Sequence, residues 1–147
     1  YFSTCKWWLM IKIQKKNFNI EKEINNIKDN LTNVGAVTSF IGYVRDLNKN
    51  KDVKYLDLEV YNEMAVKELS KIRNNAILNW SLIDCLIIHR YGKLYTSDKI
   101  VLVTCFAEHR NNSFEACKFI MDYLKKDAPF WKKEFYLKGS NWLENSN

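Results

Sequence analysis

The chain has 147 residues, 47% hydrophobic and 14% aromatic, with a formal net charge of +6. That length suits one domain with its own core, and the apolar content excludes a disordered chain. The basic balance favours an anionic partner: a phosphate-bearing small molecule, a nucleic acid or an acidic protein.

Residues 1–9 carry Trp7 and Trp8, and Met10 begins a more ordinary segment. Residues 1–9 therefore read as a non-native or disordered extension, and residues 10–147 as a single domain. The apolar part is too short for a signal peptide or a membrane span, and no other window approaches one. The chain thus reads as soluble and cytoplasmic.

Trp8 to Ile13 reads as a short strand. Ile20, Ile24, Ile27 and Leu31 recur at helical spacing, which predicts an amphipathic helix from Asn19 to about Asn30. Gly35 to Val44 is rich in strand formers, and Gly42 marks a bulge or a close approach. Asp46 to Asp52 reads as a polar loop. Val53 to Val60 is the next strand, with Leu56, Leu58 and Val60 on one face. Ala65, Leu69, Ile72, Ala76 and Trp80 mark a second helix. Ile83 to His89 is a strand apolar at nearly every position, as central strands are, and Ile100 to Ala107 is a fourth apolar strand. Gly92 opens the connection between them.

Asn112 or Ser113 is the predicted cap of a third helix, whose buried stripe is Phe114, Cys117, Met121 and Leu124. Pro129, the only proline, ends that helix. Phe130 to Phe135 follows as a strand, and Gly139 to Asn147 as a polar tail. The mixture of strands and helices predicts an α+β fold.

Nineteen lysines stand against four arginines, Arg45, Arg73, Arg90 and Arg110. Arginine used so sparingly marks places where its planar fork matters, as in phosphate or carboxylate binding. Cys85, Cys105 and Cys117 lie in apolar runs and read as buried small hydrophobes. No cysteines have zinc or redox-motif spacing, and two histidines are few for a metal site.

Glu108-His109-Arg110 leaves a buried strand and enters a helix. Free N–H groups and the helix dipole make such a corner a natural anion site. At the other end of that helix, Lys125 and Lys126 precede Pro129-Phe130-Trp131-Lys132-Lys133. The helix dipole alone accounts for lysines at a C-terminus. A desolvated lysine there could instead serve as base or nucleophile. Taking Phe114 as zero and about 100° per residue, Met121 falls near 340°, Lys125 near 20° and Lys126 near 120°. That puts Lys125 at the rim of the apolar stripe and Lys126 in solvent. Arg45 could bind phosphate, or pair with Asp46 or Asp52.

A nucleic-acid-binding module would need exposed aromatics interleaved with basic residues, whereas here the aromatics fall mostly on buried-looking stripes. A Schiff-base lysine enzyme of another kind has no supporting motif.

Several segments together carry a resemblance. They are Gly35-Ala36-Val37 with Phe40, Gly42 and Val44-Arg45, and Leu58-Glu59 with Tyr61 and Met64. Ile88-His89-Arg90 with Gly92, and His109-Arg110 with Phe114-Glu115-Ala116, continue the series. The longest are Phe119 to Lys125 and Ala128 to Glu134. From about Gly35 to Glu144 the chain resembles the catalytic (large) subunit of molybdopterin synthase.

The resemblance implies an α+β fold of the α/β-hammerhead type, a mixed or antiparallel sheet with packed helices. It implies a homodimer within a heterotetramer, each copy binding a small ubiquitin-like sulfur carrier with a C-terminal Gly-Gly thiocarboxylate. It implies sulfur transfer to cyclic pyranopterin monophosphate, forming the dithiolene of molybdopterin. No cofactor of the chain's own, metal, nucleic acid or membrane is implied. Lys125 matches the family's essential lysine and Lys132 its second active-site lysine. Arg45, His109 and Arg110 match its substrate-binding basic residues. Tyr43, Val44, Lys133 and Glu134 fall in its pocket segments, with Phe40, Met121 and Phe130 as walls. The chain departs from the family pattern at Val60, Asn62-Glu63 and Asn141. Whether Lys125 acts as base, nucleophile or electrostatic stabiliser stays open.

Overall fold

The computed structural model describes residues 10–45, 53–126, 130–136 and 139–143; for 53, 54, 130–136 and 139–143 it describes the backbone. The expectations for residues 1–9 and for the Asp46 to Asp52 loop lie outside the described residues.

Strand β1 (Ile11–Gln14) leads to α1 (Ile20–Lys28), then β2 (Ala36–Tyr43) and β3 (Val53–Val60). Helix α2 (Asn62–Trp80) is followed by β4 (Asp84–Arg90), β5 (Gly92–Leu94) and β6 (Lys99–Ala107). Helix α3 (Arg110–Lys126), β7 (Phe130–Tyr136) and β8 (Gly139–Leu143) complete the chain. The α+β expectation is met. One four-stranded sheet has the order β1-β4-β6-β2, and a second the order β5-β3-β7-β8. Among the described residues only β1 and β4 pair in parallel, and every other pairing is antiparallel.

The apolar runs of β4 and β6 make them the central strands of the first sheet. Successive strand side chains point to opposite faces. Cys85, Ile87, Val101, Val103, Cys105 and Ala107 therefore face α2 and α3. Leu86, Ile88, Leu102 and Phe106 face the α1 side, where Phe18, Ile20, Ile24, Ile27 and Leu31 cover them. Helix α1 starts where the Asn19 side chain accepts the Lys22 N–H at 2.9 Å. Glu21 and Glu23 lie in its positive first turn and Lys28 in its last. Lys12 also holds Glu23 at 2.7 Å, fixing the helix over β1.

The second sheet has a smaller core. Leu56, Leu58, Leu94 and Val44 are buried together, with Tyr91 and Ile100 packed against them. Ile100 also packs against the α2–α3 cluster and so joins the two cores. The Gly42 signal is explained: the β2–β6 register shifts between Gly42 and Tyr43, and a Cβ on Gly42 would come within 2.8 Å of Val101.

Three expectations need correction. Gly92 begins a short strand, β5, paired to β3. The segment expected as a polar tail forms β8 on β7, with Glu134 opposite Asn141. It has no apolar alternation to announce it; backbone pairing to a preformed neighbour is enough. Helix α3 starts at Arg110, so Asn112 and Ser113 stand inside its first turn instead of capping it. The Asn112 amide is drawn away to the Trp80 carbonyl at 2.7 Å, bonding the C-terminal end of α2.

Candidate active site

Strand β6 ends at the fully buried Ala107, and Glu108 and His109 make the turn into α3. Gly35, Glu108, His109, Arg110 and Asn111 line an open cavity of about 390 Å³. The predicted anion corner is thus a concavity, with His109 and Arg110 exposed and the α3 N-terminus at its edge. Glu108 adds one acidic group to it. Gly35 is a lining residue that sequence reasoning did not place here. No local signal could have done so, because more than seventy positions separate it from the turn.

Two side chains of β2 and α3 lock the turn. Thr38 Oγ1 and Ser113 Oγ lie 2.7 Å apart, and Ser113 Oγ donates to the Arg110 carbonyl at 2.9 Å. Ser113 is fully buried. One helical turn later, Cys117 meets the Phe40 backbone. Four helical residues advance about 6 Å and two strand residues about 6.6 Å, so helix and strand run in step.

The helical phase inferred from sequence needs correction. Ser113, Ala116, Cys117, Ile120 and Leu124 are the buried residues of α3, while Phe114 is 59% exposed. At about 100° per residue, the stripe centre lies roughly 100° from Phe114, which the expectation had put within the stripe. Met121 is half-buried against the core. Lys125 and Lys126 fall on opposite flanks of the stripe and both are exposed.

Tyr43 is 52% and Phe40 38% exposed. Val44 is buried in the second sheet's core, and its N–H and carbonyl are taken by Asp98 and Ser97 at 2.8 and 2.7 Å. That anchors exposed Arg45 next to it and leaves Val44 a support. The expected pairing of Arg45 with Asp46 or Asp52 lies outside the described residues. On β7, Lys132 pairs with Leu58, Lys133 with Asp57 and Glu134 with Leu56. Phe130 opens β7 opposite Val60.

The other two arginines are structural. Arg73 donates to the Cys85 carbonyl and to Asp84 Oδ1, both at 2.7 Å. Arg90 donates to the carbonyls of Lys15 and Lys99. His89 is buried, with Nδ1 2.8 Å from the Arg90 carbonyl. Cys85, Cys105 and Cys117 cluster in the core, Cys85 Sγ 4.0 Å from Cys105 Sγ. Hydrogen bonding to Cys117 and Cys85, then burial, pushes the Cys105 thiol far above its ordinary range. Among the described residues no group of His, Cys, Asp or Glu could hold a metal ion, and no helix is long and apolar enough to cross a membrane.

The sequence matches the family described as MoaE protein over residues 13–127. A Ralstonia nicotianae molybdopterin synthase catalytic subunit is 46% identical over 134 residues, covering 91% of this chain and 76% of the relative. The chain belongs to the MoaE family. Its activity is that of the catalytic subunit of molybdopterin synthase, in molybdenum cofactor biosynthesis. The solved MoaE protein of Burkholderia ambifaria superposes with a TM-score of 0.81 at 40% identity, covering 94% of this chain and 90% of that one. A Helicobacter pylori structure, a complex of subunits 1 and 2 of molybdopterin-converting factor, shares the fold with a TM-score of 0.78 at 18% identity. That alignment covers 92% of this chain and 90% of the Helicobacter pylori chain.

Proposed function

We propose that this MoaE-family chain transfers sulfur twice to cyclic pyranopterin monophosphate, one atom each time from the thiocarboxylated Gly-Gly end of a small ubiquitin-like subunit, yielding the molybdopterin dithiolene. The observation that carries the reading is the placement of basic residues at both ends of α3. Arg110 and Lys125 lie in the first and last turns of this 17-residue helix. At 1.5 Å per residue that is about 22 Å along the axis. One substrate of pterin size cannot touch both in a single copy. The reading therefore includes a homodimer, in which one copy's His109 and Arg110 meet the Arg45–Lys125 end of the other, inside a heterotetramer with two small subunits.

The chemistry divides accordingly. His109 and Arg110 donate charge-assisted hydrogen bonds to the cyclic phosphate, with the α3 N-terminus behind them. Lys125, assisted by Lys132, meets the thiocarboxylate where negative charge develops or a proton must move. The small subunit's tail reaches this end as an extended segment, a form suited to pairing with a strand edge. The two-subunit complex of the Helicobacter pylori relative supports such a partner.

The test is reconstitution. This chain, a thiocarboxylated small subunit and cyclic pyranopterin monophosphate should yield molybdopterin, read as its fluorescent oxidation product. Light scattering should give the mass of two copies of each subunit. An intact complex that forms no product would refute the sulfur-transfer reading, and a one-to-one complex with full activity would refute the shared site.

A further inference from the structure

We propose that Gly35 is a positioning residue for the substrate: its missing side chain sets where the Glu108–Arg110 turn stands. The inference rests on reading that turn as the phosphate site. Gly35 is not held by a left-handed backbone, since Gly92 is the only described glycine with positive φ. Its requirement is steric. A Cβ on Gly35 would be driven into the Glu108 carbonyl oxygen and would lie 3.1 Å from the carbonyl carbon. Both are backbone atoms, so no side-chain rotation relieves the clash.

The direction of relief is also determined. Upstream of Glu108, Ala107 is fully buried, and its carbonyl accepts the Gly35 N–H at 2.9 Å. That side cannot move without opening the core. The displacement passes instead to the exposed side, where His109 and Arg110 stand. Three residues further on, in β2, Thr38 holds Ser113, and Ser113 holds the Arg110 carbonyl. Strand β2 and the residue just before it thus set the turn twice, by close approach at Gly35 and through hydroxyl groups at Thr38.

The experiment uses the reconstituted two-subunit enzyme with cyclic pyranopterin monophosphate. Gly35→Ala should raise KM about tenfold and leave kcat within twofold, as loss of substrate positioning without loss of the sulfur-transfer step requires. Ile88→Val, which loosens the core on the α1 side, controls for general destabilisation and should leave KM unchanged. Ser113→Ala should raise KM about threefold, and carries the test if Gly35→Ala does not fold. An unchanged KM in a folded Gly35→Ala enzyme, or a fall in kcat alone, overturns the proposal. If Gly35→Ala does not fold, an unchanged KM in Ser113→Ala overturns it. Arg110→Ala separates the two levels: if it too leaves KM unchanged, the turn is not the phosphate site and the underlying reading fails.

Discussion

The two sheets of this fold solve different problems. The first is covered on both faces, by α2 and α3 on one side and α1 on the other, and its central strands expose almost nothing. The second buries Leu56, Leu58 and Leu94 on one face and leaves Tyr55, Asp57, Glu59 and Lys93 on the other. Polar groups inside the first sheet must be satisfied at once, because an unpaired buried group costs about 1–3 kcal/mol. Arg73 and Arg90 are therefore consumed by structure. Arg45 and Arg110 stand at the margins of that scaffold, exposed, where charge is available for a ligand. The comparison teaches that scarce arginine alone does not mark function; burial decides which arginines are left for chemistry.

The largest effect should come from breaking the scaffold. Arg73→Ala removes one partner of a part-buried ion pair and orphans the Cys85 carbonyl. It should cost about 3–5 kcal/mol, seen as a lower urea midpoint at unchanged slope. Arg110→Ala should stay within about 0.5 kcal/mol of the parent. Equal losses in the two variants would erase the distinction between structural and available arginines.

Next comes the end of α3. Lys125→Ala should lower turnover by about 100-fold, or roughly 2.7 kcal/mol of barrier, while Lys126→Ala stays within twofold. Both lysines are exposed, so both variants should melt alike. An inactive Lys126→Ala beside an active Lys125→Ala would put the chemistry on the other flank of the helix.

Arg45→Ala and Arg110→Ala should each weaken pterin binding by about 1.5–3 kcal/mol, the range for hydrogen bonds to charged groups. Their combination sharpens the comparison further. Sites more than about 10 Å apart usually add, whereas sites sharing a ligand couple by about 0.5–3 kcal/mol. Coupling in calorimetric titrations of the double variant is the expected result, since the shared site brings the two arginines to one substrate. Strict additivity would leave them in separate sites.

The smallest effect concerns a solvated pair. Lys118 donates to Asp122 at 2.8 Å and holds that carboxyl below its ordinary value. A depressed folded-state value means stabilisation present above the unfolded value, about 3.9, and lost as pH falls through the folded one. Asp122→Asn should hardly change the melting temperature at pH 7, and should remove a small part of the loss seen on acidification below about pH 4. A large change at neutral pH would show that this exposed pair belongs to the scaffold.

Periodicity made most elements legible. A strict apolar run placed β4 at the centre and another marked β6 as a strand, helical spacing found α1 and α2, and Gly42 announced a bulge because only a missing Cβ permits that approach to Val101. The motif around His109-Arg110 and Lys125 named the family, since such strings are local. Tertiary structure decided the rest. The phase of α3 is set by the sheet it lies on, which is why Phe114 faces outward and Ser113 inward. Strand β8 exists because β7 offers it a backbone partner, not because its own residues alternate. The separation of Arg110 from Lys125 follows from one uninterrupted helix, and Gly35 reaches Glu108 only through the pairing of β2 with β6. A sequence writes periodicity residue by residue; contacts between residues far apart in it arise only when packing brings their elements together.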